Sequence, residues 1–250
     1  MVSIRKVLLS VVVIFLSVQF TTFAQLTFDV EGGVAATGYN DVRISGSGGT
    51  FISFSDELNS NPIFYSRVRA GYRFGSRSEV LALYAPLKFR YKGAVGRDVV
   101  FQGETYPAGM QLNATYKFNS YRVTYRYFVL DKSNLEVAVG LTAKVRDANI
   151  GIRGDSGLES EKTDLGVVPL VNFWVHWHAT DRLGLLLDGD ALAAPQGRAE
   201  DVLAAVTYKV TDRFSVKAGY RILEGGADND SVYTFSLFHY GLLGVIISLD

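Results

Sequence analysis

Apolar and polar residues alternate along much of the chain. Between Phe64 and Phe74, residues Phe64, Val68, Ala70, Tyr72 and Phe74 fall on one side, with Ser66 the one polar exception. Tyr65, Arg67, Arg69, Gly71 and Arg73 fall on the other. A period of two is that of an extended strand with two unlike faces. The same alternation recurs down the chain, and it predicts ten strands. They cover residues 26–36, 63–74, 79–92, 113–130, 135–148, 164–178, 183–193, 201–210, 214–223 and 232–249. Links after even-numbered strands are short; those after odd-numbered strands read as mostly long, from Thr37–Pro62 to Glu224–Ser231, with Ala194–Glu200 the shortest. An even count with alternating short and long links is the layout of a closed transmembrane barrel. The pattern accommodates 8 to 12 strands, since Val42–Ser55 also reads as a hairpin extending past the membrane.

The first 24 residues change the meaning of that alternation. Arg5 and Lys6 precede an apolar run, Val7–Val18, and Thr22-Phe23-Ala24 offers small residues at the positions a signal peptidase reads. The run is too short for a membrane helix, which needs ~20 residues. Residues 1–24 are therefore expected to be a cleaved signal peptide, and residues 25–250 a single barrel domain. An exported chain with greasy strand faces is expected to turn those faces to lipid and its charges inward. Closure also removes the free strand edges that lipid cannot satisfy.

Composition narrows the chemistry. There is no cysteine, which excludes an acylated lipoprotein anchor, a disulfide scaffold and a thiolate zinc site. Removing Arg5 and Lys6 leaves 23 basic against 25 acidic residues, a net of −2, and nothing in that balance suggests a nucleic-acid partner. Phe and Tyr number 16 and 14, which suits the two membrane–water interfaces. Pro86 and Pro169 fall within predicted strands, and each removes a ladder donor, so a bulge or break is expected at both.

With the signal, Ala70-Gly71-Tyr72-Arg73-Phe74, Thr211-Asp212-Arg213-Phe214 and Ala218-Gly219-Tyr220-Arg221, the chain resembles small bacterial outer-membrane β-barrels of the broad OmpA/OmpW-like group. The resemblance implies an all-β, antiparallel up-and-down barrel in the outer membrane of a Gram-negative bacterium, monomeric, in contact with outer-membrane lipid and lipopolysaccharide.

The strand phases predict a basic inner wall. Arg67, Arg69, Arg73, Lys88, Arg90, Arg122, Arg126, Lys144 and Arg146 point inward, against Asp29, Glu31, Glu136, Asp188 and Asp190. Strand seven lies opposite strand two in a ten-stranded cylinder, so Asp188 and Asp190 are expected to face Arg67 and Arg69. Buried charges must pair, so one reading is a structural or solute-interacting barrel plugged by ion pairs. The alternative is a narrow anion-preferring pore, using the cation surplus for carboxylate or phosphate. The rival of a different class is an enzyme acting on lipid or peptide. That chemistry needs a nucleophile or water beside an oriented histidine. Of the three histidines, His176 and His178 are expected at the periplasmic interface with Trp174 and Trp177, and His239 by phase faces lipid. No catalytic residue, cofactor or metal site is read from the chain. Gly225–Asp230 lacks the full calcium-loop spacing and reads as a solvated turn.

Overall fold

A computed structural model describes residues 25–249, so the expected signal at residues 1–24 lies outside the described residues. Ten antiparallel strands close into a barrel. They are β1 (Gln25–Ile44), β2 (Ile63–Phe74), β3 (Ser78–Ala85 and Lys88–Ala94), β4 (Gln111–Lys132), β5 (Leu135–Gly154), β6 (Glu159–His178), β7 (Leu183–Ala194), β8 (Gly197–Lys209), β9 (Phe214–Asp228) and β10 (Val232–Leu249). Each pairs with its sequence neighbours, and β10 closes onto β1 from Leu26↔Leu249 to Ile44↔Val232. The all-β closed barrel with ten strands is as the alternation predicts.

The strands run taller than expected. β4, β5 and β6 hold 22, 20 and 20 residues. Only ~9–11 tilted residues are needed to cross a bilayer. Stretches read as loops, Asn149–Thr163 and Glu224–Ser231, are instead mostly strand closed by tight turns. The link read as Ala194–Glu200 is a two-residue turn, Pro195-Gln196. Their polar residues had signalled loop, but they belong to walls that stand in water above the membrane.

The side-chain pattern inverts with height. Low in the barrel, Val139, Leu141, Tyr125, Val123 and Val171 are exposed outward while Arg122, Arg126 and Thr142 are buried. Higher up the same strands, Leu112, Ala114, Ile150 and Ile152 are buried inside, and Asn113 and Arg153 face out. An exterior in hydrocarbon must be apolar, whereas an exterior in water leaves the interior as the place to bury apolar surface. The upper lumen is accordingly packed like a soluble core: Phe89 stacks on Phe238 with centroids 4.9 Å apart, and Phe54 sits 5.4 Å from Tyr91.

Two outer segments complete that upper core. The β1–β2 connection pairs back on β1 (Val42↔Ile52), buries Phe54 and Leu58, and is tied by the Arg97–Glu57 ion pair. The Arg97 hydrogen bond holds the Glu57 carboxyl below its ordinary range. A small hairpin, Val99–Phe101 with Glu104–Tyr106, buries Phe101 and Tyr106, whose hydroxyl donates to the Ile152 carbonyl at 2.9 Å.

Of the two prolines, Pro86 breaks its strand as expected, whereas Pro169 produces no bulge or break in its own strand. Pro86 splits β3 into two pieces, each paired with β4. Pro169 keeps its place in the β5–β6 ladder (Pro169↔Ala143), so its missing donor falls on the side facing β7. The β6–β7 ladder stops two residues away, at Val171↔Ala191. Above that pair β6 continues upward from Leu170 to Glu159 without β7 beside it. The short β7–β8 hairpin thus leaves a notch in the rim. On the outer face of β6 at that level, Leu165 and Val167 are 75% and 71% exposed.

Candidate functional site

The middle of the lumen is filled by an ion-pair network. Asp201 on β8 is its centre: its carboxylate accepts from Arg67 at 2.9 Å, Arg122 at 2.6 Å and Arg221 at 2.6 Å. Arg221 also donates to Glu31 at 2.8 Å, and Lys217 bridges Glu31 and Asp29, both at 2.7 Å. Asp188 accepts from Arg69 at 2.5 Å and from Arg126 at 2.8 Å. Asp190 accepts from Arg122 at 2.7 Å, Thr142 at 2.6 Å and Asn172 at 2.9 Å. Glu79 lies 3.4 Å from Arg126. Six basic residues (Arg67, Arg69, Arg122, Arg126, Lys217, Arg221) thus meet six acids (Asp29, Glu31, Glu79, Asp188, Asp190, Asp201), a net of zero. Guanidinium forks shared between carboxylates supply the additional hydrogen bonds that buried charges need.

The network differs from the expected basic wall in identifiable ways. Arg69 does face Asp188, but Arg67 pairs with Asp201 and Asp190 with Arg122. Asp201, Glu79, Lys217 and Arg221 were absent from the expected cluster. Lys217 and Arg221 show in the alternation of β9, whereas Asp201 is hidden among Arg198-Ala199-Glu200 and followed inward by apolar Leu203 and Ala205. Lys88 and Arg90 are corrected outright: both are exposed on the outer wall, and Leu87, Phe89 and Tyr91 point inward instead. The two faces of lower β3 are nearly equal in apolarity, so its phase is set by register with β2 and β4 (Arg69↔Leu83, Tyr84↔Tyr121) rather than by its own pattern. Arg73 lies at the short-turn mouth with Asp131 at 2.6 Å and Glu136 at 3.4 Å. His176 and His178 are also corrected: they turn into that mouth beside Glu136, while Trp177 faces out.

Above the network, on the notched side, lies a cavity of about 690 Å³. Its walls are Ile44, Phe118, Ile150, Val168, Leu192, Leu223 and Phe238, with Gly225 and Gly226 of β9 beside the β7–β8 hairpin. Four cations line it, Lys144, Arg146, Lys162 and Arg198, against two acids, Asp164 and Glu224. Arg146 pairs with Asp164, and Arg198 with Glu224 at 2.8 Å. Lys144 is different. It is 3% exposed, and among the described residues no carboxylate comes within 4.0 Å of it. Its ammonium rests 4.6 Å from the Phe118 ring centre, and Arg122, a like charge, stands directly opposite on β4. Two further buried polar atoms at the cavity lack a partner, Arg146 Nε and Thr234 Oγ1. The lining contains no histidine.

No protein-family model matches the chain, and no curated protein matches it. Among solved structures, the outer membrane protease OmpT from Escherichia coli aligns with a TM-score of 0.58 at 9% identity, over 92% of this chain and 99% of that one. The attachment invasion locus protein Ail of Yersinia pestis aligns at 0.41 and 10% identity, over 91% and 100%. Neisserial surface protein A aligns at 0.33 and 16%, over 88% and 96%. The likeness to OmpT is one of fold. A closed ten-stranded antiparallel barrel, girdled by apolar side chains and similar in fold to OmpT, is the architecture of a transmembrane β-barrel.

Proposed function

We propose that this is a solute-interacting outer-membrane barrel, not an enzyme, whose lumen is closed by the ion-pair network and whose upper cavity holds a small anionic amphiphile. The observation that carries this reading is Lys144, a buried ammonium without a counter-ion at the floor of a cavity of ligand size. An anionic head group at the floor would give Lys144 the counter-ion it lacks, and Arg146 Nε and Thr234 Oγ1 are further unpartnered polar atoms on the same lining. The apolar walls suit an attached hydrocarbon, and the notch above Val171↔Ala191 gives that chain a way out beside the exposed Leu165 and Val167. Lys88, Arg90 and Lys92, exposed on the outer wall, suit contact with the phosphates of lipopolysaccharide.

Binding of a fluorescent alkyl phosphate to the protein in nanodiscs of zwitterionic lipid tests the reading. Charge-assisted hydrogen bonds are each worth about 1.5–3 kcal/mol, so Lys144→Met should weaken binding roughly 10- to 100-fold. The same variant should be no less stable than the parent, because it removes a buried unpaired charge. Equal affinities in parent and variant would refute the assignment of Lys144 as the head-group contact.

A further inference from the structure

We propose that Glu136, His176 and His178 form a divalent-metal site at the short-turn mouth of the lumen, suited to Zn²⁺ or a similar first-row ion. The site is independent of the cavity and lies at the opposite end of the network. His176 and His178 are two apart on β6, so both rings share its inner face. Glu136 on β5 is directly opposite His176 in the ladder. Its Oε2 lies 3.2 Å from His178 Nε2 and 3.9 Å from His176 Nδ1, and the three ligand atoms all fall within 4.8 Å of one another. Two tetrahedral zinc bonds of ~2.0–2.1 Å hold their donor atoms ~3.4 Å apart, so small side-chain rotations bring the three atoms onto one ion.

The surroundings fix these groups as metal sites do. His176 Nε2 is 2.8 Å from Thr207 Oγ1 on β8, which leaves Nδ1 as the nitrogen turned to Glu136. The other oxygen of Glu136, Oε1, lies 3.4 Å from Arg73 Nη1, which leaves Oε2 for the ion. The two imidazoles are 4.2 Å apart between ring centres, with the edge of Trp174 against His176. An ion bound here would take a lone pair from each imidazole and would replace the hydrogen bond between His178 Nε2 and Glu136 Oε2. Two imidazoles and one carboxylate suit zinc and its first-row neighbours and leave a coordination position open to water in the lumen.

The test uses untagged, folded protein in detergent, stripped with chelator. Calorimetry with Zn²⁺ should show one ion per chain, and Co²⁺ should give visible absorption of a low-coordinate site. The His176→Gln, His178→Gln double variant should lose at least about 100-fold in affinity, and Glu136→Gln at least about 10-fold. Heat-modifiable gel mobility confirms that each variant is folded; if the double variant does not fold, Glu136→Gln alone decides. Absence of Zn²⁺ binding to the parent at about 100 µM, or unchanged binding in the folded variants, would overturn the site.

Discussion

Asp201→Ala will lower the unfolding free energy of the barrel by about 3–5 kcal/mol, the cost of breaking a buried ion pair by removing one partner. Asp201 is 2% exposed and, among the described residues, is the one carboxylate that accepts from three arginines. Without it, Arg122 keeps Asp190 and Arg221 keeps Glu31, but Arg67 retains only Glu31 at 3.7 Å. A neutral network of six and six becomes a lumen with one cation too many, in surroundings that water screens poorly. Asp201→Asn should recover part of the loss by preserving hydrogen-bond acceptance from one arginine. Urea titration of the protein folded into lipid vesicles, followed by tryptophan fluorescence, measures the change. A loss below about 1 kcal/mol would mean that the pairs are solvated and carry little of the stability.

Leu141→Arg will cost about 2–4 kcal/mol, whereas Asn113→Arg will stay within about 0.5 kcal/mol of the parent. Leu141 is 68% exposed, and its neighbours in the ladders are Tyr125 and Val171, all in the apolar girdle. An arginine there must reach for an interface or draw water into hydrocarbon. Asn113 projects outward from the upper part of β4, opposite Arg153, where the wall is already polar. The same urea titration reads both variants. Equal costs at the two sites would remove the height-dependent inversion of the wall.

That inversion also decides how much could be read from the chain. β2, β4 and β5 alternate cleanly where they cross the membrane, so their phases and the ten-strand count are legible. Lower β3 has Val80, Ala82 and Tyr84 on one face and Leu81, Leu83 and Ala85 on the other, and a period of two cannot rank two apolar faces. Placing its leucines in lipid sent Lys88 and Arg90 to the wrong side. The upper walls of β5, β6 and β9 were legible as polar but not as strand, since an exterior in water carries the same residues as a loop. Within the lumen, Arg69 opposite Asp188 follows from strand count alone. The role of Asp201 does not, because it begins a run whose next inward residues are apolar. Nor does the isolation of Lys144, which depends on where every neighbouring carboxylate points. The histidines were misplaced for a related reason: Trp174 and Trp177 suggested one shared interface, yet they lie on opposite faces of β6.

On our proposal the paired charges seal the lumen, so that the cavity above is a dead end and not the vestibule of a pore. Single-channel recording of the purified protein in planar bilayers tests it most directly. A sealed lumen predicts no current steps from the parent, with steps gained once Asp188→Ala and Asp190→Ala remove two of the six acids; steady ohmic conductance from the unmodified protein would contradict it.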